Sequence, residues 1–437
     1  MFYYDVYPKV VPADEVSVIR IRPRFAHAAF PENATVSVSH VCYDRTSAPA
    51  EPEWKIEEGV LVIKDKFESE QEHIFQVTLK FENGKEKKVD FGIFSLKPDW
   101  YALRPFKGDL HLHSTASDGK EEGRYLAARY REAGFDFMAL TDHRRYEPSL
   151  EIMAYWKDLN PEFKLFPGEE VHSPDNPVHI VNFGGSRSVN DLYREDEEKY
   201  RREVAEIIEA MPDKEEGKDY FVVAASEWCF RRIKECGGLS IFCHPYWSIP
   251  CGNYITEWDN DEIVKRRKFD AYEIIGGFFR HQYHSNNMQV VRYYEELAKG
   301  NKDMPVVGVS DSHGSDAFAL PGRNFNDSAN ADLFNWYYTI VLAEDCELDS
   351  LISNVKKCNS IAVCAPSNER PELFGSFRAV RYGLFLIREY FPQLRSLCAI
   401  EGLLMQHHLA GMDSAEALKV IRGRTAAYRE MCFKRSE

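Results

Sequence analysis

The feature that constrains the fold most is an alternation of apolar strands and amphipathic helices that begins at Phe106. The segment Glu122–Ala133 has helical periodicity, and it separates a strand leading to His111 from the apolar strand Phe135–Leu140. Alternation of this kind predicts a parallel sheet or barrel. In such folds, polar residues gathered at the carboxyl ends of several strands indicate a functional site.

Histidines and carboxylates follow these strands repeatedly. His111 and His113 alternate with Leu112, so both imidazoles should point to one face of an extended strand, and Asp311 and His313 have the same spacing. Nine residues at strand ends could bind a metal: His111, His113, Asp118, His143, Glu170, His179, His244, Asp311 and His313. A single such histidine is commonly a packing residue. Buried charges need partners, however, and a metal cluster supplies them for the whole set.

The flanking regions read differently. Residues 1–105 contain short strands and a hairpin signal, Asn83-Gly84 between Ile74–Phe81 and Val89–Phe94, which predicts a small all-β sandwich domain. This domain has no apparent cluster of His, Asp or Glu with ligand spacing. We therefore expect an accessory or packing domain, with a carbohydrate- or partner-binding module as the alternative.

The segment of alternating strands and helices is predicted to span residues 106–320. A helical insertion at about 187–236 either caps the site or lies on the surface, and Asp191–Met211 is its predicted helix. Residues 321–437 are predicted to continue as α/β structure and to end in a mainly helical C-terminal region.

The composition limits the kinds of molecule that the protein is expected to bind. The formal net charge of −15 disfavours stable binding of duplex nucleic acid, which depends on many phosphate contacts. A small anionic substrate is compatible with this charge because bound divalent metals invert the local potential. Ten scattered cysteines without a C-x-x-C pair indicate reduced thiols. The chain shows no signal-peptide pattern and no membrane-length apolar run, so we expect a cytoplasmic protein without membrane association.

Six motifs follow one another over about residues 106–320: D-L-H-L-H-S-x-x-S-D-G, L-T-D-H, P-G-x-E, V-H-I, C-H-P and S-D-S-H. In this order they resemble the PHP (polymerase and histidinol phosphatase) superfamily, especially the branch of trinuclear nucleotide and oligonucleotide phosphoesterases. The N-terminal β domain is also similar to that of CehA/McbA-type metallohydrolases. The resemblance implies a distorted (β/α)7 barrel with its site at the strand carboxyl ends.

The resemblance further implies a metal-dependent phosphoesterase that hydrolyses a phosphomonoester or short nucleotide through a metal-bridging hydroxide. A non-phosphate hydrolase, acting on a carbamate or carboxylic ester at the same site, is the alternative, because such sites serve carbonyl and phosphoryl centres alike. A third reading is a non-catalytic binding protein with a vestigial site. It is disfavoured because all nine expected ligands are present.

Three divalent metal ions are implied, and the mixed nitrogen and oxygen donors suit zinc, manganese or iron. By resemblance, the first ion is held by His111, His113, Glu170 and Asp311. Glu170 bridges to a second ion shared with His179 and His244, and the third is held by Asp118, His143 and His313. The G-x-E spacing selects Glu170 as the ligand and leaves Glu169 with a structural role.

Basic residues near these motifs are candidates for substrate binding. Arg144 and Arg145 directly follow a predicted ligand and could bind phosphate, with a surface salt bridge as the alternative. In the loop F-F-R-H-Q-Y-H, Arg280 and His281 are predicted to clamp phosphate or protonate the leaving oxygen, and His284 to bind substrate.

Three further residues have open roles. His172 shares a strand face with Glu170, and we expect it to support the ligands rather than to be one. Tyr246 and Trp247 follow the C-H-P motif and either stack on a substrate base or sugar or simply pack in the core.

Overall fold

A computed structural model describes residues 3–31, 33–43, 50–249, 252–277, 283–301, 303–315, 334–366 and 369–434. The chain forms two compact units. The first comprises Met1–Arg104, Val380–Leu397 and Arg422–Glu437, and the second comprises Pro105–Ala379 and Cys398–Ile421. The C-terminal segment therefore contributes to both units, and the predicted domain limits at residues 105 and 320 stay predictions.

The first unit contains two four-stranded sheets. Its strands are β1 (Tyr4–Tyr7), β2 (Val10–Pro12), β3 (Val16–Pro23), β4 (Ala34–Cys42), β5 (Glu53–Glu57), β6 (Val60–Lys66), β7 (Glu72–Phe81) and β8 (Glu86–Leu96). The strand orders are β1-β3-β6-β5 and β2-β8-β7-β4. Ile19 and Ile63 of one sheet share a buried core with Phe75, Val77 and Ile93 of the other. Two sheets closed over one core form a β-sandwich.

The predicted hairpin is confirmed. Strands β7 and β8 pair antiparallel, with Phe75 opposite Phe91. Gly84 adopts a positive φ of 78°, and the Asn83 side-chain oxygen accepts a hydrogen bond from the Lys85 N–H at 3.0 Å. Asparagine followed by glycine favours such turns because glycine tolerates left-handed backbone and asparagine bonds to the local main chain.

The second unit is mixed α/β. Its strands are β9 (Arg104–Asp109), β10 (Phe137–Ala139), β11 (Lys164–Phe166), β12 (Gly168–Val171), β13 (Ile180–Phe183), β14 (Leu239–Phe242), β15 (Ser248–Ile249), β16 (Gly252–Asn253), β17 (Ala271–Ile275), β18 (Val306–Gly308), β19 (Tyr337–Ala343), β20 (Ser360–Cys364) and β21 (Glu372–Phe374). They form a six-stranded sheet, β11-β10-β9-β19-β20-β21, a five-stranded sheet, β12-β13-β14-β17-β18, and the pair β15-β16.

The helices of both units are α1 (Pro98–Tyr101), α2 (Gly123–Glu132), α3 (Glu147–Trp156), α4 (Asn190–Glu195), α5 (Glu197–Ala210), α6 (Phe221–Glu235), α7 (Glu257–Arg266), α8 (Tyr283–Ala298), α9 (Leu348–Lys356), α10 (Phe377–Phe385), α11 (Phe391–Leu409), α12 (Ala415–Ile421) and α13 (Arg424–Phe433), with a π-helical turn at Leu386–Tyr390. Within the described ranges, every helix is too short or too polar to span a lipid bilayer.

The predicted α/β class is confirmed, but the described strands do not close into a (β/α)7 barrel. The five-stranded sheet contains the antiparallel pairs β12–β13 and β13–β14, which interrupt the parallel pattern that a regular barrel requires. Two isolated parallel bridges, Leu112 with Ser312 and His143 with Glu170, join the ends of the two sheets. These bridges position the candidate site.

The predicted insertion is helical and packed. Helices α5 and α6 bury Val204, Ile207 and Trp228 in a core that also contains Phe242 of β14. The single helix expected over Asp191–Met211 is divided, because the Asp196 carboxylate caps α5 by accepting from the Lys199 N–H at 2.8 Å. Aspartate at this position stabilises a new helix start and ends the preceding one.

Candidate metal centre

Main-chain hydrogen bonds bring the predicted strand ends together. Beyond β9, the His113 N–H donates to the Ser312 carbonyl at 2.8 Å, and the Asp311 N–H donates to the His111 carbonyl at 2.9 Å. On the other side, the Arg144 N–H donates to the Glu170 carbonyl at 2.9 Å. Segments that are distant in sequence are therefore fixed side by side through their backbones.

Glu170 is the hub of the cluster. Its carboxylate is fully buried and has ring nitrogens of six histidines within 3.6 Å: His111, His113, His143, His172, His179 and His244. Neither carboxylate oxygen accepts a hydrogen bond of normal geometry from a described residue. A buried carboxylate in this state is costly unless a cation compensates it.

Two smaller groups adjoin this hub. The His113 Nε2 atom lies 3.2 Å from His111 Nε2 and 2.9 Å from Asp311 Oδ1. In the second group, Asp118 Oδ1 lies 3.3 Å from His313 Nε2 and 3.5 Å from His143 Nε2. The nine residues predicted from the motifs are thus assembled in one place, and each predicted set of ligands is drawn together.

The protonation states differ across the cluster. Burial opposes protonation of His143, but Glu170 and Asp118 outweigh it and raise the pKa of this ring to about 10. Burial lowers the pKa of His179 to about 3 and that of His113 to about 4, so both rings are neutral and offer a lone pair. Burial opposes ionisation of Asp118, but hydrogen bonds from His143 and His313 outweigh it and hold the pKa of this carboxyl well below its usual range.

The donors fit divalent transition metals. Besides both Glu170 oxygens, the Nδ1 atoms of His113, His179 and His244 are buried and lack a hydrogen bond of normal geometry in the described part of the chain. Three overlapping sets have all their donor atoms within 4.8 Å of one another: His113, Asp118, His143 and His313; His143, Glu170, His172 and His179; His111, Glu170 and His244. Imidazole nitrogen combined with carboxylate oxygen suits zinc, manganese and iron.

The backbone is strained where donors enter the site. His244 and Asp311 adopt positive φ values of 25° and 46°. Non-glycine residues in this region cost free energy and cluster at functional sites. The regular extended segment predicted around Asp311 is therefore not found. Asp311 faces His111 and His113, whereas His313 faces Asp118.

A serine-rich loop presents Asp118. The Asp142 carboxylate accepts from the Ser114 N–H and hydroxyl, both at 2.7 Å, and from the Ser117 hydroxyl at 2.6 Å. A Cβ atom on Gly119 would lie 2.5 Å from the His113 carbonyl oxygen, so only glycine fits this turn. The serine and glycine residues of this loop therefore hold Asp118 in position and do not themselves act as metal ligands.

Comparisons with known proteins give matches over parts of the chain. No family model matches the chain. Over 44 residues the chain is 48% identical to the DNA polymerase/3'-5' exonuclease PolX of Bacillus subtilis, and the match spans 10% of this chain and only 8% of that protein.

Among solved structures, a two-domain protein of Bacteroides vulgatus containing a predicted PHP-like metal-dependent phosphoesterase aligns at a TM-score of 0.42 and 18% identity, over 64% of this chain and 69% of that one. A proposed metal-dependent phosphoesterase of Bifidobacterium adolescentis aligns at 0.33 and 18% identity, over 51% and 93%. The chain is thus similar to these proteins over part of its length, with low sequence identity to the solved structures.

Two neighbours of the candidate site were not anticipated from the sequence. Glu273 of β17 is fully buried, and its Oε2 atom lies 3.4 Å from Nδ1 of His111. A single carboxylate in the otherwise apolar strand A-Y-E-I-I was the available signal. Cys243 groups with these two residues. His172, expected to support the ligands, has its Nε2 atom 2.9 Å from His143 Nδ1 and 3.5 Å from a Glu170 oxygen, so it contacts two predicted ligands.

Glu169 belongs to a separate network. Its carboxylate accepts from the Asn182 amide at 3.0 Å, the Ser188 hydroxyl at 2.8 Å and the Asn190 amide at 2.6 Å. The Asn190 amide also contacts the Glu170 carbonyl at 3.1 Å. Glu169 therefore ties the start of the helical insertion to the strand that carries the hub.

The predicted substrate residues are only partly described. Arg144 and Arg145 are exposed next to His143, and the Arg145 Nε lies 3.9 Å from a Glu147 oxygen. Arg280, His281 and the side chain of His284 lie outside the described residues, so their roles stay predictions.

Of the two aromatic candidates, Tyr246 is buried. The Trp247 ring lies 6.1 Å from His179 and 4.8 Å from Tyr254. Trp247 is therefore the one beside the cluster.

Proposed function

We propose that the chain is a metal-dependent phosphoesterase that hydrolyses a small phosphorylated substrate, either a phosphomonoester or a short nucleotide. The observation that carries the proposal is the buried Glu170 carboxylate, which has ring nitrogens of six histidines within 3.6 Å and no hydrogen bond of normal geometry from a described residue. Up to three divalent ions would be held there, with His111, His113 and Asp311 on one side of Glu170, His179 and His244 on another, and Asp118, His143 and His313 in the third group.

When bound, the ions would activate water and neutralise charge on the phosphate. The residues of the chain provide the rest. His111 and Glu170 are fully buried and exclude water from the base of the site, whereas 58% of the Asp118 side chain is exposed. His143 and His313 are partly exposed as well. Substrate would therefore approach from the Asp118 side, where Arg144 and Arg145 supply positive charge next to His143.

Arg280 and His281 would clamp the phosphate or protonate the leaving oxygen, and His284 would contribute to substrate binding. A histidine with a pKa near neutrality suits the transfer of a proton to a leaving group. These roles rest on the sequence of the loop alone.

One set of observations favours a second candidate, hydrolysis of a carbamate or carboxylic ester. Within the described ranges, no lysine or arginine forms an ion pair with Glu170, Asp311 or Asp118. The aromatic pair Trp247 and Tyr254 instead forms an apolar wall beside His179. A wall of this kind suits an uncharged substrate better than a phosphate dianion.

The experiment is a substrate panel with chain stripped of metal and reconstituted in parallel with Mn²⁺ and Zn²⁺. Nucleotides and sugar phosphates test the first candidate through phosphate release, and aryl carboxylic esters and carbamates test the second. We expect phosphate release that disappears with a chelator and in His111→Ala. The matched control is His407→Ala, because His407 is an exposed histidine of α11. Cleavage of the esters alone would transfer the assignment to the second candidate.

A further inference from the structure

A second cluster of potential metal ligands lies within the β-sandwich unit. His40 and Cys42 lie on one face of β4, two residues apart, and the strand pairing places Cys42 directly opposite His73 of β7. His40 and Cys42 are less than 8% exposed, and His73 is fully buried. No ligand pattern is visible in the sequence here, because the third member comes from a neighbouring strand.

Three donor atoms converge in this cluster. His40 Nε2 lies 2.9 Å from His73 Nδ1, and the Cys42 Sγ atom lies 3.6 Å from the first and 3.7 Å from the second. Around a tetrahedral zinc ion, with bonds of about 2.0 Å to nitrogen and about 2.3 Å to sulfur, ligand atoms lie roughly 3.3 to 3.6 Å apart. The observed triangle is close to this size.

The outer partners fix which ring nitrogens carry protons. His40 Nδ1 lies 2.7 Å from an Asp65 carboxylate oxygen and donates to it, because a carboxylate oxygen accepts hydrogen bonds. The Ser95 hydroxyl donates to the Ser69 carbonyl at 2.6 Å. In the 2.8 Å hydrogen bond between His73 Nε2 and Ser95 Oγ, the ring N–H is therefore the donor.

Both inner nitrogens therefore present lone pairs. In neutral rings, His40 Nε2 and His73 Nδ1 face each other at 2.9 Å without a proton between them, which is repulsive unless something positive binds there. An extra proton would create a buried imidazolium. His73 is fully buried, and burial disfavours this charge. The aromatic rings of Phe67 and Phe75 line the same space.

We propose that His40 Nε2, His73 Nδ1 and Cys42 Sγ bind a divalent cation of the zinc class. Two imidazoles and a thiolate are a donor set that zinc uses widely, with Asp65 and Ser95 orienting the rings from behind. Three protein ligands leave one coordination position for water or another small ligand. The ion would connect β4 to β7 and, through Asp65 of β6, link the two sheets of the sandwich.

Cobalt is the probe for this site. The full chain is stripped with chelator and titrated with Co²⁺, because thiolate bound to cobalt gives an intense near-ultraviolet charge-transfer absorption that nitrogen and oxygen ligands do not give. We expect this band in the wild-type chain, its loss in Cys42→Ser, and displacement of the cobalt by Zn²⁺. Metal analysis should show about one zinc fewer per chain in Cys42→Ser.

Two variants separate this site from the Glu170 cluster. His111→Ala should lose metal but retain the band, and Cys243→Ser tests the thiol beside His111 and should also retain it. A wild-type chain without the band would overturn the proposal, as would a band that persists in Cys42→Ser. If Cys42→Ser does not fold, His40→Gln is the second variant. Its cobalt affinity, measured by titration of the same band, should be at least tenfold lower than that of the wild-type chain.

Discussion

The two histidine clusters of this chain are built from opposite strand arrangements. In the α/β unit, the donors follow the ends of strands that lie far apart in sequence, and bridges such as Leu112 with Ser312 bring those ends together. In the β-sandwich, His40, Cys42 and His73 project from two antiparallel neighbours. The first arrangement leaves motifs in the sequence, whereas the second depends on strand register, which exists only in the folded chain.

The clusters nevertheless share one structural feature, an outer carboxylate that orients a histidine ring. In each, a carboxylate stands behind a histidine and fixes its ring: Glu273 lies 3.4 Å from Nδ1 of His111, and Asp65 lies 2.7 Å from Nδ1 of His40. Such outer carboxylates select the tautomer and raise the basicity of the ligand nitrogen. The clusters differ in their inner donors, since one is organised by the shared carboxylate of Glu170 and the other by a thiol.

The largest expected effect comes from removing that shared carboxylate. Glu170→Gln should abolish binding of most metal at the α/β cluster and lower hydrolysis by more than about a hundredfold, which exceeds the loss typical of an outer partner. The matched control is Glu169→Gln, one residue earlier and equally buried, whose carboxylate bonds to Asn182, Ser188 and Asn190 instead. This control should destabilise the fold but keep its metal. Equal metal loss in both variants would contradict the role of Glu170 as hub.

The next effect concerns the carboxylate behind His111. Glu273→Gln should weaken metal affinity at the α/β cluster by about 10- to 100-fold and leave the thiolate–cobalt band of the sandwich unchanged. Metal-competition titration with a chromophoric chelator measures this. Glu262→Gln serves as the control, because Glu262 pairs with Lys265 and Arg266 on α7. An unchanged metal affinity in Glu273→Gln would show that Glu273 does not contribute to metal binding.

The corresponding change in the sandwich should be smaller. Asp65→Asn should weaken cobalt binding there by about tenfold, at the low end of the range for outer partners, because a quarter of the Asp65 side chain is exposed and water can replace part of its contact. Activity of the α/β cluster should not change. A loss of hydrolysis in Asp65→Asn would show that the two clusters are coupled.

The last prediction concerns the pH dependence of stability in the metal-free chain, which leaves metal binding and hydrolysis aside. Burial lowers the folded-state pKa of His73 from 6.5 to about 3. Below pH 6.5 the unfolded chain therefore binds a proton at this residue that the folded chain does not bind. The stabilising contribution is present above pH 6.5 and is lost as the pH falls towards 3. Between pH 7 and 5, His73→Gln should reduce the fall in the free energy of unfolding by up to about 2 kcal/mol. Urea unfolding measures it, and His407→Gln should behave as wild type.

Local signals in the sequence predicted much of the fold. Asparagine and glycine at 83 and 84 specify the β7–β8 turn, and the strand ends identify the donors around Glu170. Side-chain capping was missed, because Asp196 divides a stretch whose periodicity is uniformly helical. The backbone at Asp311 was also mispredicted, since positive φ there depends on tertiary pairing with His111.

The role of Glu273 and the cluster at His73 could not be read from spacing. Each depends on which strands become neighbours: β17 must place Glu273 behind His111, and β7 must lie beside β4. A lone carboxylate in an apolar strand and a His-x-Cys spacing are both common without function. Only the three-dimensional pairing distinguishes them from packing residues.

The most direct test of metal-dependent hydrolysis at the Glu170 cluster measures bound metal and phosphate release on the same samples of the chain, as metal is removed with chelator and then returned. We expect hydrolysis to fall with the metal held by this cluster, to recover when Mn²⁺ or Zn²⁺ is restored, and to stay absent in Asp311→Asn at every metal concentration. Hydrolysis that persists in the metal-free chain, or full activity in Asp311→Asn, would contradict a metal-dependent site built around Glu170.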